Sequence, residues 1–223
     1  MGLILELHLS ADAAVREDHF HFDGVDYFRG HAAAVQLGDV GKKKHSAGGH
    51  SHLAAQARLP RDTLPVERVT RIDLQGVTVR GSDVAVDITV AGVGSLGAST
   101  VARLLADDTL CLVKLESAPH AVVAAANTWA GALEVLGRAG KVGRLVHHVF
   151  VMLEAAMAKD LSQATRWSLG GAGDDCVLTG IGAGGQRSVV VLTPGTTFAY
   201  LLLKPIWLGK RITDAAPDSW SQS

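Results

Sequence analysis

The chain is poor in cysteine, aromatic residues and charge. Two cysteines occur in 223 residues, while aromatic side chains make up 5% and charged side chains 19% of the sequence. Cys111 and Cys176 both lie among apolar neighbours, which excludes a disulfide-rich scaffold and favours a reducing cytoplasm. A formal net charge of −1 excludes a broadly basic nucleic-acid binder, so no nucleic-acid partner is expected.

Long apolar runs are also missing. The longest uncharged stretches span 117–133 and 188–203, and a membrane-spanning helix needs roughly 20 apolar residues. Pro194 and Gly195 interrupt the second stretch and predict a turn there. We therefore expect no transmembrane helix.

Apolar residues as a class are abundant. They make up 48% of the sequence, and the mean hydropathy is +0.22. This is more apolar surface than one small core needs. The composition favours burial against a second subunit or against lipid.

Alternating apolar residues predict strands along most of the chain, and helical periodicity is confined to two segments. The mixed order predicts an α+β fold, with a mostly antiparallel, twisted sheet, long hairpins and two or three inserted helices. We expect one domain over 1–223, with a candidate covering tail at 209–223. Strands are predicted at 3–9, 110–115, 145–153, 165–169, 176–179, 188–192 and 196–204, hairpins at 19–28 and 70–93, and helices at 99–107 and 117–138.

The hairpin at 70–93 has the cleanest alternation, turning at 80–83. Each arm has about 11 residues, and a tilted strand needs roughly 9 to 11 to cross a bilayer. Asp87 and Thr89 lie on the polar face. The apolar row comprises Ile72, Leu74, Val77, Val79, Val84, Val86, Ile88 and Val90.

Histidines are concentrated near the start of the chain, with seven of the ten in the first 52 residues. His19, His21 and Asp23 have the spacing of one strand face. Because imidazole and carboxylate groups bind zinc, they form a candidate metal site; the alternative is a row of polar side chains facing water. His147 and His148 are adjacent in the predicted central strand, so we expect them on opposite faces, with at most one buried.

Two basic clusters stand out. Lys42, Lys43 and Lys44 lie in the glycine-rich segment 38–52, which is predicted to be a mobile loop or hairpin tip rather than core. A second cluster flanks the glycine turn before the central strand. Such clusters attract acidic lipid, at about 1 kcal/mol per residue; the alternative is solvated surface charge. The second cluster consists of Arg138, Lys141 and Arg144.

Catalytic motifs are incomplete. No GxSxG elbow occurs. Gly92, Gly94 and Gly97 have dinucleotide-type spacing, but no acidic residue follows at the distance that a nucleotide-binding unit requires. We therefore expect no cofactor and no enzymatic activity.

The second half of the chain carries a family resemblance. A valine-rich strand at 145–153, the Trp167–Leu169 triplet and the closing segment 189–200 follow one another in order. Together they resemble the second half of a gasdermin pore-forming domain, over residues 110–208. The resemblance implies a cytoplasmic monomer that binds acidic lipid, oligomerises and inserts hairpins as a β-barrel. In it, the basic cluster at 138–144 would bind lipid and the hairpin at 70–93 would cross the membrane.

Three functions are consistent with these patterns. The first is a non-enzymatic pore-forming protein that moves from cytoplasm to membrane on assembly, with acidic lipid and further copies of itself as partners. The second is a self-assembling structural protein, such as a shell, tube or obligate oligomer. The third is a metal-dependent enzyme that uses the N-terminal histidines.

Overall fold

The computed structural model describes residues 13–16, 18–45, 50–72, 78–79, 88–90, 94–96, 104, 109–171 and 174–222. This part of the chain has an α+β fold, with a mostly antiparallel, curled sheet and three helices. The predicted fold class is confirmed. Over the same ranges, no helix has both the length and the hydropathy needed to cross a membrane.

Most strands in the first half of the described chain are short. The second half contains the three helices, inserted between strands, and the two longest strands. The helices are α1 (Pro119–Thr128), α2 (Ala130–Ala139) and α3 (Ala155–Ser162). The strands are β1 (Ala13–Val15), β2 (His19–Phe22), β3 (Val25–Phe28), β4 (Asp39–His45), β5 (Ser51–Arg58), β6 (Arg68–Ile72), β7 (Thr78–Val79), β8 (Ile88–Val90), β9 (Gly94–Leu96), β10 (Leu110–Glu116), β11 (Gly143–Glu154), β12 (Arg166–Gly170), β13 (Cys176–Ile181), β14 (Arg187–Leu192), β15 (Thr197–Leu208) and β16 (Arg211–Asp218).

The main sheet has the order β5-β4-β11-β15-β3-β2-β1-β7. β10 pairs with β11 and β6, and β16 pairs with β15. Of the main-sheet strand pairs, β1–β7 is parallel and the others are antiparallel. Two small sheets complete the fold: β12-β13-β14 and β8-β9. β11 pairs with three strands, which confirms the central strand predicted at 145–153.

Apolar side chains are buried on both faces of the main sheet. Val149 and Val151 pack on the face covered by the helices and the sheet β12-β13-β14. Phe150 points to the other face, where its ring lies 5.1 Å from Phe20 and 4.6 Å from Tyr27 in edge contacts. Two-faced burial needs a near-continuous apolar run. Burial on both faces of the sheet therefore places most of the large apolar side chains of the described residues inside the fold.

The segment predicted to be one helix at 117–138 forms two helices. The prediction of a single continuous helix is therefore wrong. Trp129 separates α1 from α2 with an extended backbone, φ −116° and ψ 109°. Asn127 fixes the end of α1 to β16, because its side chain donates to the carbonyl of Ile212 (2.7 Å) and accepts from the same residue's amide (3.0 Å). Asn and Thr are weak helix formers, which favours a break here.

The segment 38–52, predicted to be a mobile loop or hairpin tip rather than core, belongs to a hairpin whose strands are partly buried, so its exclusion from the core is wrong. β4 and β5 form an antiparallel hairpin that pairs with β11 through β4. Lys43 is buried, as are Val40 and Leu53. The lysine-rich run therefore belongs to the sheet, because alternate residues of β4 face the interior.

The candidate tail at 209–223 contributes a strand. β16 runs along β15 from the Leu208–Arg211 pair to the Leu202–Asp218 pair. Beyond it, Trp220 stacks on His19 with ring centroids 4.1 Å apart. The end of the described chain is thereby joined to β2.

Candidate functional site

A groove of about 760 Å³ opens between α2 and the β15–β16 hairpin. Its apolar lining comes from Leu133 and Leu136 on α2 and from Pro205 and Trp207 on β15. Apolar pockets of this size hold small molecules or chains of carbon atoms. Its polar lining residues are Glu134, Lys141, Lys204 and Lys210.

Glycines shape both walls. Gly140 ends α2 with a positive φ of 57°, a conformation that glycine adopts at little cost. Gly209 has a φ of 64° and begins the two-residue turn that joins Leu208 to Arg211. Glycine at the first position of such a turn is typical of tight β-hairpins. The turn therefore projects the hairpin tip beside the groove.

The hairpin tip and the neighbouring turn expose large apolar side chains. Leu208 is 76% exposed, and Ile206 and Val142 are each 46% exposed. None of the three lines the groove, and Ile206 and Leu208 alternate along β15 with the lining residues Pro205 and Trp207, so they lie on the other face of that strand. Single exposed apolar residues are ordinary, but several on one hairpin and the turn near it mark an interaction surface. We call Val142, Ile206 and Leu208 the tip patch.

Cations surround the tip patch. Lys141, Lys204 and Lys210 are exposed, and no carboxylate of the described residues lies within ion-pair distance of them. Arg138 is also exposed and lies 3.4 Å from Glu134 one helical turn earlier. In the β15–β16 register, Arg211 lies opposite Leu208 and Asp214 lies opposite Ile206, and both are exposed. Five cations and two carboxylates thus leave this surface positively charged.

Arg144, the third member of the predicted lipid-binding cluster, lies inside the protein. It is 8% exposed, its Nε bonds Asp218, and its Nη1 donates to the carbonyls of Lys141 and Gly143, both at 2.8 Å. Its Nε and Nη1 atoms are thus engaged within the fold. The structure brings Lys141 and Arg138 to the surface and directs Arg144 inward.

Asp218 holds two buried cations. Lys43 Nζ lies 2.9 Å and 3.1 Å from its two carboxylate oxygens, and Arg144 bonds the second of these oxygens. Lys43 also lies 5.1 Å from the centroid of the Phe28 ring. The cluster joins β4, β11 and β16 behind the groove. A buried carboxylate between two cations is costly to remove, since each cation then lacks its counter-charge.

The predicted metal ligands do not converge. His19 Nδ1 pairs with Asp18 at 2.8 Å, His21 Nδ1 pairs with Asp26 at 2.7 Å, and Asp23 lies in the β2–β3 turn with a φ of 50°. Asp18 also pairs with His50 at 3.1 Å. Across the described ranges, no three His, Cys, Asp or Glu side chains are placed to hold a metal ion.

His147 and His148 form a second polar cluster, and the prediction that they point to opposite faces is wrong. Their ring centroids are 3.9 Å apart. The β11–β15 register shifts between Val146 and His148, so His147 is the extra residue of a β-bulge, which breaks the alternation. Neither ring nitrogen of His147 makes a hydrogen bond of good geometry within the described residues.

The charges around this pair are mainly cationic. Glu116 lies 3.5 Å from His148 Nε2, but it also pairs with Lys114 at 2.8 Å and with Arg68 at 3.9 Å. Burial and then the neighbouring imidazole lower the pKa of His147 to about 3. Burial, followed by the charges of Lys114 and Arg68, lowers the pKa of His148 to about 3.

The described parts of the predicted membrane hairpin pair with other strands. β7, which contains Val79, pairs with β1, and β8, which contains Ile88, pairs with β9. Ile72 pairs with Leu112 and is 4% exposed. Val90 is 1% exposed. Leu74, Val77, Val84 and Val86 lie outside the described residues, as do the strand predicted at 3–9 and nearly all of the helix predicted at 99–107.

Comparison with known proteins identifies no relative of this chain. No family model matches the chain, and neither a curated protein nor a solved structure matches it significantly.

Sequence reasoning missed the wall of the groove that β15 and the turn after it supply. Trp207 and Lys210 line this wall and lie more than 60 residues after α2 in the sequence. A local signal was present, because an apolar residue, a glycine and two cations follow one another at 208–211. Only the pairing of β15 with β11 brings that hairpin to the end of α2.

Proposed function

We propose that this protein binds the surface of acidic membranes, with the tip patch in the interfacial region and the groove receiving part of a lipid. The observation that carries the proposal is the 76% exposure of Leu208 at the end of β15, the strand that forms one wall of an apolar groove whose polar lining includes three lysines. An exposed apolar cluster and a ring of cations are the two features that interfacial binding requires.

The charge around the groove favours acidic over neutral lipid. Lys141 reaches the groove from the turn before β11, and Lys210 reaches it from the hairpin tip, so they flank it from two sides. Each cation contributes about 1 kcal/mol near an acidic bilayer. Glu134 opposes this attraction but is paired with Arg138.

The apolar features favour a bilayer over a free anion. A soluble phosphate would use the lysines but would gain nothing from Leu208, Ile206 or the apolar lining of the groove. An acyl chain removes such surface from water, at about 25 cal/mol per Å². The lysines thus attract the protein to an acidic bilayer, and the burial of apolar surface keeps it bound there.

Vesicle co-sedimentation tests the proposal. The wild-type chain is expected to bind vesicles that contain phosphatidylserine and to remain in the supernatant with phosphatidylcholine alone. Lys141→Gln combined with Lys210→Gln removes two cations and is expected to weaken binding by roughly thirtyfold. Equal binding to both vesicle types, or no binding to either by folded protein, would refute the proposal.

A matched variant controls for net charge. Lys159→Gln combined with Arg71→Gln removes the same charge from exposed positions on α3 and β6, and neither residue lines the groove. This variant is expected to bind like the wild type. An equal loss in both double variants would assign the effect to total charge and not to the groove.

Pore formation is the stronger form of this proposal. It requires, in addition, that the hairpin predicted at 70–93 leaves its present partners and enters the bilayer. Release of a trapped dye from phosphatidylserine vesicles tests that step separately. Binding without release would leave a membrane-docking protein and would remove the pore-forming function.

A further inference from the structure

The six large apolar side chains that are exposed in the described residues fall into two groups. Three form the tip patch. The other three lie on the small sheet β12-β13-β14: Ile181 is 43% exposed, Val189 is 51% exposed and Val191 is 46% exposed. None of these three lines the groove. The second group therefore needs an explanation of its own.

β14 is an edge strand without the usual protection. It pairs with β13 over six residues with no register shift, and no other described strand pairs with it. It contains no proline, and its single charge is Arg187 at its first position. Natural edge strands are normally protected by a lysine, a proline or a bulge, because a free edge is a template for another strand.

The sequence of β14 is nearly symmetric about Val190. Residues 188–192 read Ser-Val-Val-Val-Leu, so an antiparallel copy centred on Val190 places Val189 opposite Val191. Both of these side chains are exposed, whereas Val190 is buried. The exposed face therefore pairs valine with valine, and the other face pairs Val190 with Val190 and Ser188 with Leu192. The same residues thus contact each other in both directions, as an isologous contact requires.

The two ends of the small sheet carry opposite charge. Arg166 and Arg187 lie in register at one end, on either side of Ile181. Asp174 and Asp175 are exposed at the other end, next to Cys176, which pairs with Leu192. Arg61 also lies at this end, where its Nη1 donates to the carbonyl of Asp175 (2.6 Å), so two carboxylates and one cation leave it with a net negative charge. Antiparallel pairing brings the basic end of one copy to the acidic end of the other, whereas parallel pairing would bring like charges together.

We propose that two copies of this chain associate by antiparallel pairing of their β14 strands about a twofold axis at Val190, forming one six-stranded sheet. Arg187 then lies opposite Thr193 of the second copy. The two Arg187 residues are six positions apart in register, about 20 Å at the rise of an antiparallel strand. The contact goes beyond lipid binding and uses elements that do not line the groove, so either proposal can fail alone.

Sedimentation velocity in lipid-free buffer tests the dimer. The full chain is expected to show twice the monomer mass, with dissociation on dilution. Val189→Lys combined with Val191→Lys places like charges opposite each other and is expected to give a monomer, as is Val189→Glu combined with Val191→Glu. An equimolar mixture of the two variants is expected to regain the twofold mass, because lysine then faces glutamate.

The mixture also controls for folding, since two unfolded variants would not form a defined dimer. Ile206→Lys combined with Leu208→Lys alters the tip patch and is expected to leave the dimer intact. Spin labels on an Arg187→Cys variant are expected to report a separation near 20 Å between backbones. A monomeric wild type, a dimer that survives both charged variants, or a mixture that stays monomeric would each overturn the proposal.

Discussion

His147 and His148 are consecutive residues of the central strand, yet their ring centroids lie 3.9 Å apart, with the ring planes inclined by 31°. The bulge at His147 produces this contact, because the extra residue shifts the register between β11 and β15. Glu116 is the carboxylate that pairs with His148, and it also pairs with Lys114 and Arg68. Neither ring nitrogen of His147 has a hydrogen-bond partner of good geometry within the described residues. This environment therefore favours the neutral form of both imidazoles over the protonated form.

We expect stability to decline in mild acid. The pKa of each histidine falls from 6.5 to about 3 on folding, so the unfolded state binds more protons between these values. The stability contribution is complete above pH 6.5 and is lost as the pH falls towards 3. Urea unfolding at pH 7.5 and pH 5 should show a decrease of about 2 kcal/mol for each histidine.

The His147→Leu variant isolates this effect. Leucine cannot titrate and does not need a hydrogen-bond partner, so the variant should be at least as stable as the wild type at pH 7.5. Its free energy of unfolding should also fall less steeply between pH 7.5 and pH 5. Parallel pH curves for the two proteins would show that this ring does not titrate on unfolding.

Asp218→Asn tests the buried ion cluster. The change removes the carboxylate that lies between Lys43 and Arg144, whose side chains are 7% and 9% exposed. Because both cations stay buried without a counter-charge, we expect a loss of about 3–5 kcal/mol in urea unfolding. Asp214→Asn is the matched control, since Asp214 is exposed on the same strand, and its effect should stay within about 0.5 kcal/mol. Similar losses in both variants would contradict a special role for the cluster.

Tyr200→Phe tests a buried hydroxyl that joins three segments. The Tyr200 hydroxyl donates to the carbonyl of Gly30 (2.8 Å) and accepts from the amide of Leu53 (2.9 Å). Phenylalanine keeps the ring and leaves both backbone groups without this partner, so we expect a loss of about 1–3 kcal/mol in urea unfolding. A variant as stable as the wild type would mean that water or a shifted backbone satisfies both groups.

The parts of the fold that follow from local sequence were predictable. The turn at Asp23 and Gly24 closes the β2–β3 hairpin as expected, with both residues at positive φ. The apolar run of β11 is a central strand, since burial on both faces removes the alternation that an exposed strand shows. These features depend on neighbouring residues alone.

The parts that depend on distant pairing were not predictable. Lys43 is in a run that suggests a solvated tip, but its partner Asp218 lies 175 residues later. The bulge at His147 has no local signature, because strict alternation describes the same residues equally well. The groove likewise joins α2 to the last hairpin of the described chain. Long-range strand pairing decides each of these cases.

Leu208 gives the sharpest test of how the groove region meets a membrane. Leu208→Ala removes an apolar group that is 76% exposed, so the free energy of unfolding should change by no more than about 0.5 kcal/mol. If the side chain enters the interfacial region, its loss should weaken binding to phosphatidylserine vesicles by about 2 kcal/mol, or roughly thirtyfold.

Salt separates this contribution from that of the lysines. Raising the ionic strength screens Lys141 and Lys210, so binding should weaken in both the wild type and Leu208→Ala, and the ratio between them should stay constant. Ile181→Ala removes an apolar group that is 43% exposed on β13 and should leave vesicle binding unchanged. Equal losses for Leu208→Ala and Ile181→Ala would mean that apolar exposure in general, and not the hairpin tip, governs association with lipid.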